Sequence, residues 1–206
     1  MKIFLVRHGE TKMNLERRLL GKIDSPLVQE GLAHAERLGD YLKGKEIDLA
    51  FSSTLGRVVK TTEIISEKTG LVFERRHDLD EISYGILEGL TRKEADEKYP
   101  RIWETRLKDR FNFDLEGAED YSDVGKRMRP FVDELKEKYP SKTILIAGHF
   151  NTHRVLIGIL LGLSHEEIVE IDVPHRIVYE IEINEESNVK YHSIDSGEEK
   201  EGLVYL

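Results

Sequence analysis

The sequence predicts an α/β fold, a three-layer αβα sandwich around a mostly parallel central sheet with an antiparallel edge. Three observations carry that expectation. Short runs of Ile, Val, Leu and Phe end abruptly at turn residues. Segments with helical apolar spacing follow them. The two alternate along most of the chain.

The expected buried strands are Lys2 to Val6, Ile47 to Ser52 (IDLAFS) and Thr143 to Ala147 (TILIA). After the first, Leu32, Ala35, Leu38 and Leu42 recur at helical spacing. After the second, Val58, Val59, Thr62, Ile64 and Ile65 do the same. A long amphipathic helix is expected from about Tyr121 to Tyr139, stopped by Pro140, and another from about Thr152 to Leu161. Arg176 to Ile183 and Val189 to Ser193 read as a late hairpin around Asn184 to Asn188, supplying the antiparallel edge. From Glu88 to Asp120 the pattern breaks into charged, weakly periodic sequence containing Trp103. That stretch is read as a helical insertion or lid within one domain spanning residues 1–206. The cluster Glu198-Glu199-Lys200-Glu201 reads as a solvated face.

Composition narrows the function. A net charge of −9 argues against a general nucleic-acid binder, because phosphate backbones would be repelled. There are no cysteines, which excludes a disulfide scaffold, a thiolate metal site and a cysteine nucleophile. The apolar run at the N-terminus is too short for a leader, and Val155 to Leu163 is too short to span a bilayer. A cytoplasmic protein without membrane partners is expected; a homodimer is left open.

In an open α/β sheet, ligands bind beyond the carboxyl ends of the strands. The first strand delivers Arg7-His8-Gly9 there. The second delivers Ser52-Ser53-Thr54 and then Arg57 in the next helix. The third delivers Gly148-His149. Arginine forks match phosphate or carboxylate oxygens. The helix N-terminus near Arg57 is expected to add backbone N–H donors, and Gly9 and Gly148 to let the backbone approach an anion. Each residue alone has a plainer reading as a turn, a surface charge or a structural histidine. Their convergence on one sheet edge is what points to a small anionic substrate.

Beyond placement, the residues carry a resemblance. LVRHGET followed by Asn14 resembles the signature of the histidine phosphatase superfamily, the phosphoglycerate mutase-like proteins. SPLVQEGLAHA, SSTLGRVVKTTEII, LDEISYGILEGLT and ILIAGHFNTHRVLIGILLGL resemble its further blocks, in order, from residue 3 to about residue 163. The resemblance implies that His8 is a nucleophile that takes the phosphoryl group. It must be neutral at the attacking nitrogen, and Arg7 and Arg57 beside it disfavour the imidazolium. Arg7, Arg57 and His149 would hold the phosphoryl oxygens, with Asn14 as a neutral donor. Glu81 would protonate the leaving oxygen and later activate water. No cofactor is implied and no metal is required, because the arginines supply the positive charge. Glu10 and Glu88 read as structural. His153, four residues after His149, makes a metal pair conceivable, but no acidic partner motif accompanies it. His34, His77, His165, His175 and His192 have no readable chemistry around them.

Two departures from the family pattern stand out. Phe150 and Asn151 occupy positions where the family commonly has small residues, so Phe150 is expected to line the leaving-group pocket. Gly117-Ala118-Glu119-Asp120 matches the family's Gly-Glu-Ser block poorly. The resemblance covers both mutases and phosphatases. The family's cofactor-dependent mutases tend to carry more sequence in the middle, so the short chain favours a metal-independent phosphomonoesterase acting on a small phosphorylated metabolite. The alternatives are a cofactor-dependent phosphoglycerate mutase, an α-ribazole-phosphate phosphatase of cobalamin synthesis, and a non-catalytic phosphate sensor.

Overall fold

A computed structural model describes residues 1–185 and 187–206. The elements run in the order β1 (Lys2–Arg7), α1 (Lys12–Leu15), α2 (Gln29–Leu42), β2 (Leu49–Ser52), α3 (Gly56–Thr69), β3 (Phe73–Arg75), α4 (Arg92–Lys98) and α5 (Ile102–Lys108). They continue with α6 (Tyr121–Lys138), β4 (Thr143–Gly148), α7 (Phe150–Leu161), α8 (His165–Glu170), β5 (Ile177–Glu182), β6 (Asn188–Ser193) and β7 (Glu199–Glu201).

The strands form one sheet in the order β3-β2-β4-β1-β5-β6-β7. From β3 to β1 the pairings are parallel; from β1 to β7 they are antiparallel. The expected antiparallel edge is therefore three strands wide. It includes β7, which sequence reading took only for a solvated charge cluster. All three β7 residues are indeed exposed. They pair with β6 through the register Lys190↔Glu201, and Lys190 Nζ donates to Glu199 at 3.0 Å. The turn proposed around Asn184 to Asn188 includes Glu186, which lies outside the described residues.

The period-two alternation of the central strands builds the three layers. Ile3, Leu5, Ile144 and Ile146 point to one face, where they pack with Met128, Phe131, Val132 and Leu135 of α6 and Leu156, Ile157 and Leu160 of α7. Phe4, Val6, Leu145 and Ala147 point to the other, against Leu38 and Leu42 of α2 and Val58 and Ile65 of α3. Both faces are covered, which is why β1 and β4 read as continuous apolar runs rather than alternating ones. Between residues 88 and 120 the chain forms the short helices α4 and α5. A capping box at Thr91 and Glu94 starts α4. Among the described residues no helix is long and apolar enough to cross a membrane.

Candidate active site

Strand register makes the site. In the parallel pairing of β1 with β4, Arg7 lies opposite Gly148, so the next residues, His8 and His149, leave the sheet side by side. The backbone bond from His8 N to Gly148 O, 3.1 Å, carries the pairing one step further. On the other side of β4, Ser52 pairs with Ala147 and Ser53 N donates to Ala147 O at 3.1 Å, which sets Ser53 beside His149. The two imidazole centroids are 5.3 Å apart at an interplanar angle of 62°.

His8 is buried, and its Nδ1 lies 2.8 Å from Gly9 O. A carbonyl can only accept, so Nδ1 carries the hydrogen and Nε2 keeps the lone pair. Burial, then the Arg57 guanidinium, His175 and Arg7, hold His8 well below the usual histidine range. The ring is thus neutral, with one nitrogen free to attack.

Around it a pocket of about 120 Å³ is lined by Arg7, His8, Asn14, Arg18, Arg57, Glu81, Tyr84, Phe150 and Asn151, among others. Arg57 enters from the first turn of α3 and is held by the Gly21 and Ile23 carbonyls at 2.8 and 2.9 Å, leaving its buried Nε without a partner. Arg7 donates to Val173 O at 2.9 Å, and burial lowers it to about 10, which still leaves it charged at neutral pH. Asn14 is anchored through Oδ1, which accepts from Thr11 N and Oγ1 at 3.0 and 2.9 Å, so its amide Nδ2 is the end left for a ligand. Glu81 is buried. Its Oε1 accepts from Ile82 N at 2.9 Å, Thr152 N at 3.2 Å and Thr152 Oγ1 at 3.1 Å. Two guanidiniums lie over the Phe150 ring, Arg7 at 5.0 Å and Arg154 at 4.1 Å from its centroid.

Thus Arg7, His8, Asn14, Arg57, Glu81 and Phe150 share one pocket, and His149 packs edge-on against His8 behind it. Three details differ from the sequence expectation. The N-terminal amide of α3 is not free for an anion: Arg57 N donates to Asp24 Oδ1 at 3.0 Å. Gly9 makes room for protein rather than ligand, because a Cβ there would run into the backbone of Gly31 at the start of α2. Gly148 likewise makes room for the His153 ring. His153 is fully buried beneath it, and among the described residues no group of three or more acidic or histidine side chains could hold a metal ion.

Sequence reasoning missed three contributors. His175 packs 5.2 Å from His8, and its Nδ1 donates to His8 O at 2.6 Å. Tyr84 lines the pocket and accepts from Asn151 Nδ2 at 3.0 Å. Asn151 in turn is oriented by Tyr121, whose hydroxyl donates to Asn151 Oδ1 at 2.7 Å. Glu88 is structural, as expected, and accepts from Lys22 N at 2.9 Å and Tyr84 N at 3.1 Å.

A sequence model of the histidine phosphatase superfamily (branch 1) matches residues 3–194. The chain belongs to that superfamily. Among superfamily relatives, a 2,3-bisphosphoglycerate-dependent phosphoglycerate mutase of Mesorhizobium japonicum is 32% identical, over 95% of this chain and 98% of the relative. Two solved structures share the fold. An α-ribazole phosphatase from Shigella flexneri has a TM-score of 0.83 and 24% identity, covering 90% of this chain and 92% of that one. A mycobacterial glucosyl-3-phosphoglycerate phosphatase has a TM-score of 0.81 and 24% identity, covering 98% and 97%. The mutase comparison removes the argument from length: a relative bearing that name is aligned almost end to end with this chain.

Proposed function

We propose that the protein is a metal-independent phosphomonoesterase working through a phosphohistidine at His8. The observation that carries this is the pinned His8 tautomer: Nδ1–H is spent on Gly9 O, and Nε2 keeps its lone pair in a pocket bearing Arg7 and Arg57. Nε2 attacks phosphorus, and the P–O bond to the leaving group breaks. Arg7, Arg57, Asn14 and His149 meet the charge on the three phosphoryl oxygens. Glu81 gives its proton to the leaving oxygen. It then takes one from the water that cleaves the P–N bond and restores neutral His8.

Hydrolysis is favoured over mutase action by the charges in the pocket. A phosphoglycerate brings a carboxylate besides its phosphate, and a bisphosphate primer brings a second phosphate. Among the described lining residues the cations other than the phosphoryl-binding pair Arg7 and Arg57 reduce to Arg18. Arg18 is already committed to Glu16 at 2.8 Å, Glu94 at 2.7 Å and the Gly89 carbonyl at 2.8 Å. A substrate with one phosphate and a neutral remainder suits that balance.

The test is turnover of p-nitrophenyl phosphate in EDTA beside His8→Ala. Activity that survives EDTA and is lost in the variant supports the reading. Conversion of 3-phosphoglycerate that depends on 2,3-bisphosphoglycerate, with negligible hydrolysis, would replace it with the mutase. No turnover of any phosphomonoester would favour a sensor.

A further inference from the structure

Behind the pocket, His149 ends a chain of short hydrogen bonds. Its Nε2 lies 2.8 Å from Ser53 Oγ, and Ser53 Oγ lies 2.7 Å from Asp80 Oδ1. Asp80 is itself buried and accepts from Thr54 N at 2.8 Å and from Thr54 Oγ1 at 2.9 Å through Oδ2. Burial alone would raise the Asp80 carboxyl, but the bonds from Ser53, Thr54 and His77 outweigh it and hold it below the usual carboxylate range. Asp80 is therefore an anion and can only accept.

The proton inventory then closes in one way. Ser53 has one hydroxyl hydrogen, and the carboxylate claims it. Leu55 N donates to the same Oγ at 3.2 Å. His149 Nε2 must therefore be the donor to Ser53, which leaves Nδ1 with the lone pair in the neutral ring. That nitrogen is buried and has no partner among the described atoms. In this tautomer His149 presents an acceptor, which would repel a phosphoryl oxygen rather than hold it.

We infer that Asp80, acting through Ser53, is a positioning residue that lets His149 take a proton on Nδ1 when the phosphoryl dianion arrives, turning that nitrogen into a donor. The inference rests on the reading that His149 holds a phosphoryl oxygen. The proton comes from solvent or from the substrate monoanion, whose second pKa is about 6: an O–H bond breaks and the Nδ1–H bond forms. The groups that face His149 divide clearly. Arg7 at the end of β1, His8 just beyond it, Arg57 on α3 and His153 one turn along α7 all oppose its protonation, as burial does. Asp80, with His77 3.1 Å from its other oxygen, and the incoming phosphate favour it. Without substrate the first set holds the ring neutral. With substrate, two anions bracket it.

The test is nitrogen-15 NMR of histidine-labelled wild-type protein titrated with inorganic phosphate at pH 7.5, beside Ser53→Ala and Asp80→Asn. In the wild type both His149 nitrogens are expected to become protonated as phosphate binds. In the variants Nδ1 stays unprotonated. Phosphate affinity falls about tenfold, and the alkaline limb of kcat, which titrates the enzyme–substrate complex, moves down by about one pH unit, the two being equivalent in free energy. A purely structural role would lower activity evenly across pH and leave that limb in place, which would overturn the inference. A wild-type His149 that binds phosphate while Nδ1 stays unprotonated would also overturn it, and that result needs no variant to fold. Phosphate that perturbs neither His8 nor His149 would remove both the inference and the functional reading beneath it.

Discussion

His8 Nδ1 and the carbonyl oxygen of Gly9 are 2.8 Å apart, and this one contact decides which nitrogen of the imidazole can react. Backbone geometry at the tip of β1 sets the tautomer, so no separate base is needed to expose the lone pair. His175 adds to the same arrangement from the other side by donating to His8 O at 2.6 Å.

If Glu81 protonates the leaving oxygen, the cost of losing it depends on the leaving group. Glu81→Gln is expected to lower kcat/KM for an alkyl phosphate by about 10²–10⁴. The loss for p-nitrophenyl phosphate should be much smaller, because its phenolate departs without a proton. Parallel steady-state kinetics on the two substrates check this. Equal losses on both would assign Glu81 a binding or structural role.

Gly9 is held against the Gly31 backbone rather than against a ligand. Gly9→Ala must push the loop after β1 away from α2, and neither partner is a flexible side-chain end. Destabilisation of about 1–3 kcal/mol is expected, as for overpacking in a well-packed interior. Chemical denaturation of the variant measures it, and unchanged stability would show that the loop moves freely.

Stability should fall in mild acid. Burial is the main force lowering His34 to about 4 and His153 to about 3, and His8 and His149 are lowered as well. In the unfolded chain these rings take protons near pH 6.5, so between that pH and about 4 the unfolded state binds more protons than the folded one. The stability they confer is complete above pH 6.5 and is lost as pH falls, by up to about 1.4 kcal/mol per pH unit for each ring. Urea unfolding at pH 7 and pH 5 reports the slope. A flat profile would mean that these rings gain protons without unfolding.

How far this was legible in the sequence follows from range. Arg7, His8, Arg57 and His149 could be placed because each ends or follows a buried apolar run, and parallel strands deliver such residues to one edge. Their alignment needed only the β1–β4 register. His175 had no such marker. It reaches His8 because β5 runs antiparallel to β1, with Val6 opposite Val178, and brings the residues before Ile177 to the tip of β1. Charge hid β7, whose pairing to β6 depends on cross-strand contacts. The glycines were expected to leave room for an anion, whereas what approaches Gly9 is a helix start 22 residues later in the chain, a tertiary contact that local pattern does not encode.

The central claim is a covalent one, and trapping the intermediate tests it most directly. Protein quenched at alkaline pH during turnover of a phosphomonoester, digested and analysed by mass spectrometry with phosphorus-31 NMR of the isolated peptide, should carry phosphate on Nε2 of His8. Phosphate on Nδ1 of His8, on another residue, or on none while turnover proceeds, would contradict it.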